Sequence, residues 1–126
     1  MKILIIDDSE IFRDSISLLL KAEWPDVDIF EADDGKVGVD QAVILHPDLI
    51  LLDGSMPHMN GDEAAAKLRS LPQTENIPII AVTSEIPDTP LWQGLKNQCS
   101  HILPKPFHIP SFLQLVTLEV TRKRQA

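Results

Sequence analysis

The chain has no tyrosine, one cysteine and five glycines in 126 residues. With Cys99 alone, no internal disulfide framework or cysteine-built zinc site can form. The simplest role for Cys99 is a small half-buried filler. No G-x-x-x-x-G-K-[ST] loop and no G-x-G-x-x-G fingerprint occurs, which argues against nucleotide enzymes of those designs. Basic residues are few: 11 Lys and Arg face 19 Asp and Glu, a net charge of −8. That balance disfavours nucleic acid as a direct partner and suits a solvated surface or a basic partner patch. Long apolar runs are missing too. The opening Met1-Lys2-Ile3-Leu4-Ile5-Ile6 meets Asp7 at once, too soon for a signal core or a membrane span. No export signal and one free thiol lead us to expect a reducing, cytoplasmic setting and no membrane partner. The four histidines lack metal-ligand spacing, so surface or capping roles are expected for His46, His58, His101 and His108.

What is present fits one ordinary globular domain, with 44% hydrophobic and 24% charged residues. Its centre is Asp48-Leu49-Ile50-Leu51-Leu52-Asp53. An apolar run that short and continuous is what a parallel strand covered on both faces requires. Gly54, Pro57 and Gly61 end it with turn chemistry. In chain order, Lys2 to Ile6 reads as a strand ending in Asp7-Asp8. A helix capped by Ser9 or Asp8 follows, carries Phe12, Ile16, Leu19 and Leu20 on one face, and stops near Trp24-Pro25. Strand two is expected over Val27 to Ala32, and helix two over Lys36 to His46, weakened by Gly38. An alanine-rich helix runs from Asn60-Gly61-Asp62 towards Pro72. Strand four is expected over Ile77 to Thr83. Thr89-Pro90 caps a short helix to about Asn97. Strand five covers Ser100 to Leu103, and a last helix from near Pro110 carries Phe112, Leu115, Val116, Glu119 and Val120. The domain is expected over 1–121, with 122–126 as a basic tail or linker start, Arg122-Lys123-Arg124 being its charge.

Alternating strands and helices at short spacing predict an α/β fold: a three-layer, doubly wound (βα)5 unit with a five-stranded parallel sheet of order 2-1-3-4-5. Pro104 agrees, since proline in a strand belongs at an edge. That order brings Asp7 and Asp8, at the end of strand one, beside Asp53, at the end of strand three. Thr83 and Lys105 end up on the same rim. Crowded carboxylates raise one another's pKa unless a positive charge sits among them. An all-oxygen cluster with few protein ligands suits Mg2+, which keeps several waters. A carboxylate can serve as a covalent nucleophile towards a phosphoryl group. Lys105 and Thr83 suit phosphoryl oxygens.

The ordered set Ile5-Ile6-Asp7-Asp8, Leu51-Leu52-Asp53, Met56-Pro57 through Met59-Asn60-Gly61, Thr83 and Lys105-Pro106-Phe107 resembles the response-regulator receiver domains of two-component signalling. The resemblance covers nearly the whole chain. It implies a phosphorylation-dependent switch of a phosphorelay, not a conventional enzyme. Asp53 is similar to the phosphoacceptor, supplied by a histidine kinase or a histidine phosphotransfer protein. Asp7, Asp8, Asp53 and the backbone carbonyl of Ser55 match the Mg2+ ligands. Thr83 and Lys105 match the pair that grips the phosphoryl group, and Lys105-Pro106 matches a cis peptide. The family's output surface is the face of helix four, strand five and helix five, towards an output domain, a partner or a second copy.

Four departures fall on that face. Ile102 stands where Tyr or Phe is usual, Ser84 where alanine is common, Pro87 and Pro90 crowd the fourth helix, and Pro104 precedes the lysine. A short or displaced helix four and an unusual readout surface are therefore expected. Two other classes stay open: a phosphorylation-independent scaffold that retains the fold, and an aspartyl-nucleophile phosphatase. The phosphatase is disfavoured because Gly54-Ser55 follows Asp53 where such enzymes carry Asp-x-Asp.

Overall fold

The computed structural model describes residues 1–125 apart from Pro57, with side chains as far as Thr121. The side chains of the basic tail and Pro57 of the expected loop motif lie outside the described residues. Each apolar run becomes a strand: β1 Lys2–Ile6, β2 Asp28–Ala32, β3 Leu49–Asp53, β4 Ile79–Thr83 and β5 His101–Pro104. Between and after them run α1 Glu10–Glu23, α2 Gly35–Leu45, α3 Gly61–Ser70, α4 Pro90–Gln98 and α5 Ile109–Gln125. All strand pairings are parallel, in the order β2-β1-β3-β4-β5.

Successive strand side chains point to opposite faces, and the core divides accordingly. Ile3, Ile5, Leu49 and Leu51 join Ile16 and Leu20 of α1 and Phe112 and Val116 of α5. Leu4, Ile6, Ile50 and Leu52 join Val39 and Ala42 of α2 and Ala64 and Leu68 of α3. Every residue of β3 and of β4 is buried. Fully burying one such Leu or Ile stabilises by about 1.5–3 kcal/mol, so these strands form a fixed floor for whatever sits at their ends.

Several boundaries differ from expectation by a residue or two. β4 begins at Ile79, because Pro78 has no N–H to donate; its carbonyl still accepts from Ile50 N–H at 3.0 Å. Asp48 lies outside β3 and its carboxylate accepts from Lys2 N–H at 2.8 Å. Ser9, not Asp8, caps α1, accepting from Phe12 N–H at 3.2 Å. Gly38 does more than weaken α2: a Cβ there would come within 2.5 Å of the Ile6 side chain, so only glycine lets the helix lie this close to β1.

Helix α4 has nine residues, capped by Thr89 with Pro90 in its first turn, as its sequence required. Its carboxyl end is tied down by Arg69 of α3. That guanidinium donates to the carbonyls of Gln98 at 2.8 Å, Glu75 at 3.0 Å and Ile77 at 2.6 Å. Burial lowers the Arg69 pKa from its ordinary value, although the cation keeps these acceptors. Cys99 beside it is half-buried, and burial pushes its thiol up to about 12, which makes it the inert filler expected. Among the described residues no helix is long and apolar enough to cross a membrane.

Candidate phosphoryl-acceptor site

The strands β1 and β3 are hydrogen-bonded neighbours, with Ile6 opposite Leu52. The next residues, Asp7 and Asp53, therefore emerge side by side at the carboxyl rim, where open α/β sheets bind ligands. Asp8 follows on the exposed side. One carboxylate oxygen from each of Asp7, Asp8 and Asp53 lies within 4.8 Å of the others. Asp7 is 1% exposed and Asp53 8% exposed. Lys105 reaches into this group from the end of β5. Its Nζ is 3.3 Å from Asp7 Oδ2 and 3.6 Å from Asp53 Oδ1, and the Lys105–Pro106 peptide is cis.

Backbone N–H groups also hold both carboxylates, at the second oxygen of Asp7 and at the same Asp53 oxygen that Lys105 faces. Ser9 N–H donates to Asp7 Oδ1 at 2.8 Å, and Ser55 N–H donates to Asp53 Oδ1 at 3.3 Å. These bonds fix the two side chains without consuming every lone pair. Burial raises the Asp53 pKa most, and the neighbouring Asp7 charge raises it further. Lys105 and the Ser55 N–H pull it down, closeness to Asp8 adds a little, and the carboxyl ends at about 6. The mutual repulsion expected from the sequence is there, but removal from water is the larger cause.

Thr83 closes the far side. It is fully buried at the end of β4, and its Oγ1 accepts from Glu85 N–H at 3.0 Å. That bond leaves its own O–H to donate. Lys105 N–H donates to Thr83 carbonyl oxygen at 2.8 Å, so the β4–β5 ladder continues past Pro104, which cannot donate. Behind Asp53 the chain turns back on itself, with Gly61 N–H donating to Gly54 carbonyl oxygen at 3.0 Å. A Cβ on Gly61 would collide with the Asp53 carbonyl oxygen, so glycine is required where α3 starts. The sequence marked Gly61 only as a turn residue; its steric role depends on a close approach that no local pattern reveals.

Asp7, Asp8, Asp53, Thr83 and Lys105 thus come together as the sequence predicted, with Ser55 on the adjoining loop. His58, exposed at φ 69°, does not join them. The donor set is all oxygen, partly buried and short of protein ligands, which is the chemistry Mg2+ accepts. Among the described residues, Asp7, Asp8 and Asp53 are the group whose carboxylates lie close enough together to hold it. A bound Mg2+ supplies positive charge against the three carboxylates and against phosphoryl oxygens.

Known proteins are similar to this chain in sequence and fold. The family model of the response regulator receiver domain matches residues 3–117. The phosphate regulon transcriptional regulatory protein PhoB of Rhizobium meliloti is 29% identical over 124 residues, which span 98% of this chain and 53% of PhoB. The DNA-binding dual master transcriptional regulator RpaA of Synechocystis is 36% identical over 117 residues, 91% of this chain and 47% of RpaA. Among solved structures, chemotaxis protein CheY4 of Vibrio cholerae superposes with a TM-score of 0.80 at 29% identity, covering 92% of this chain and 95% of CheY4. The chain belongs to the response regulator receiver domain family, the regulatory module of two-component signalling. Receiver domains pair with histidine kinases and output domains. The chain spans about half the length of these two regulators.

Proposed function

We propose that this domain is a phosphorylation switch whose acceptor is Asp53. The observation that carries the reading is the cluster itself: three carboxylates drawn together at one rim, with the Lys105 ammonium between two of them. An oxygen of Asp53 bonds to phosphorus as the P–N bond of a phosphohistidine donor breaks, the electron pair leaving with the imidazole. The donor is a histidine kinase or histidine phosphotransfer protein. Hydrolysis reverses the modification: water attacks phosphorus, the P–O bond to Asp53 breaks, and inorganic phosphate leaves. Asp7, Asp8, Asp53 and the Ser55 carbonyl hold Mg2+. Lys105 shifts from carboxylate to phosphoryl oxygen, and the Thr83 hydroxyl donates to another.

The phosphoryl group carries about −1.5 to −2 charge and replaces the single negative charge of the Asp53 carboxylate, so the acidic site gains negative charge and new acceptor oxygens. Thr83 moving towards the new oxygens draws on Glu85, which is bonded to it, and through Glu85 on the exposed loop ahead of α4. The surface of α4, β5 and α5 then changes, towards an output domain, a partner or a second copy. The nine-residue α4 and Ile102 support a readout that differs from the usual aromatic swing.

The test is intact mass after incubation with phosphoramidate or acetyl phosphate, with and without Mg2+, beside Asp53→Asn. One added phosphoryl group that needs Mg2+ and is absent from the variant is expected. A folded protein that takes no label under any condition would sink the reading and leave the phosphorylation-independent scaffold. Steady turnover of phosphate esters would point instead to the phosphatase.

A further inference from the structure

We infer that Phe12 is a positioning residue for Lys105, an aromatic seat that keeps the ammonium aimed at Asp53. The inference rests on the phosphoacceptor reading above. The Lys105 Nζ lies 4.1 Å from the centroid of the Phe12 ring, well inside cation–π range. The ring is half-buried, and with Asp7 and Asp53 it walls a void of about 10 Å3 beneath the site. The Lys105 side chain is 25% exposed, so the ammonium meets the ring partly out of water, where such contacts are stronger than at an open surface.

The backbone places the ring as carefully as it places the carboxylates. Ser9 N–H donates to Asp7 Oδ1 at 2.8 Å, and Ser9 Oγ accepts from Phe12 N–H at 3.2 Å. One capping residue thus sets the first turn of α1 in register with the acidic pair. The ring is braced from behind. Phe107 meets it edge-on at 6.2 Å between centroids, and Phe107 packs on the fully buried Phe112 of α5 at 5.1 Å.

Lysine has a flexible four-carbon stem, and its two carboxylate contacts here are to residues that also serve a cation. Any metal at Asp7 and Asp53 competes with Lys105 for them. The face of Phe12 is a contact that the metal does not claim. It holds the ammonium beside the acceptor when the carboxylates are occupied, and it couples the position of Lys105 to α5 through Phe107 and Phe112. In a chain with Ile102 in β5 and no tyrosine, the aromatic that senses the lysine lies on α1.

The experiment is a double-mutant cycle on the rate of Mg2+-dependent phosphorylation by phosphoramidate, read by intact mass. Phe12→Leu should slow the reaction about three- to tenfold, the span of a partly desolvated cation–π contact. Phe12→Trp, which keeps a π face, should restore most of the rate. In a Lys105→Met background, Phe12→Leu should change the rate less than twofold, because the partner is gone. Circular dichroism melts confirm that each variant is folded; if Phe12→Leu is not, Phe12→Ile replaces it. An undiminished rate in Phe12→Leu overturns the inference, as does an equal loss with and without Lys105, and in both cases Asp53 remains the acceptor. A wild-type protein that takes no label overturns both readings at once.

Discussion

Replacing Asp53 by asparagine should make the metal-free protein more stable, and the gain should depend on pH. The Asp53 carboxyl moves from an ordinary 3.8 to about 6 on folding, chiefly because it is taken out of water. Each unit of pKa difference corresponds to about 1.36 kcal/mol, so the ionised side chain costs at most about 3 kcal/mol. The sign follows from where protons sit. Below about pH 4 the carboxyl is protonated folded and unfolded, and it costs nothing. From there to about pH 6 the unfolded chain releases its proton while the folded one keeps it, and stability is lost as pH rises. Above about pH 6.5 both are ionised and the cost is constant.

Asparagine fills nearly the same space and does not ionise, though it gives up the attraction to Lys105. The net gain in Asp53→Asn at pH 7.5 should then be about 1–3 kcal/mol, or about 5–10 °C in Tm for a domain of this size. It should shrink to about 2 °C or less at pH 4. The assay is thermal unfolding by circular dichroism from pH 4 to 8 in EDTA, with both proteins side by side. Adding Mg2+ should reverse the order, because the wild type binds it through one more carboxylate. A gain of the same size at pH 4 and pH 7.5, or no gain at all in EDTA, would refute the reasoning that burial governs this carboxylate.

Other expectations follow from the same rim. Gly61→Ala should destabilise by about 2–4 kcal/mol, because its methyl meets the Asp53 carbonyl with no flexible neighbour to yield; a denaturant midpoint close to wild type would contradict this. Lys105→Met should raise Mg2+ affinity about threefold or more, since it removes a cation 3.3 Å from Asp7, while slowing phosphoryl uptake. Calorimetric titration with Mg2+ checks the first half and intact mass the second. Glu119→Ala should cost about 2 kcal/mol of stability, since it empties a buried position and strips His101 of its 2.8 Å partner; an unchanged melt would show that position to be readily repacked.

Much of this was legible because the pattern is made of strong, local signals. Apolar runs of strand length ending in Asp7-Asp8 and Asp53 state both the burial and the chemistry. Thr89-Pro90 writes the start of α4 in two residues. What could not be read depends on distance through space. Gly38 looked like a weak point in a helix until the Ile6 side chain lay against it. Ile77 looked like strand, because the apolar pattern ignores the donor that Pro78 lacks. Phe12 looked like one more residue on an apolar helix face. Helical spacing said that it faced inwards, but not that a lysine from the other end of the chain would end up over its ring.

The three bonds of Arg69 have a mechanical meaning. They fasten the last turn of α4, the Glu75–Ile77 connection and α3 to one planar group, while Ile86, Pro87 and Asp88 before the first turn of α4 stay exposed. Under the proposed switch, a pull from Thr83 would reach this exposed stretch before it reached the part of α4 that is held by Leu95, Gly94 and Arg69. A partner that reads the switch should therefore lean on the residues ahead of Pro90, and one that clasps the Gln98 end should respond least.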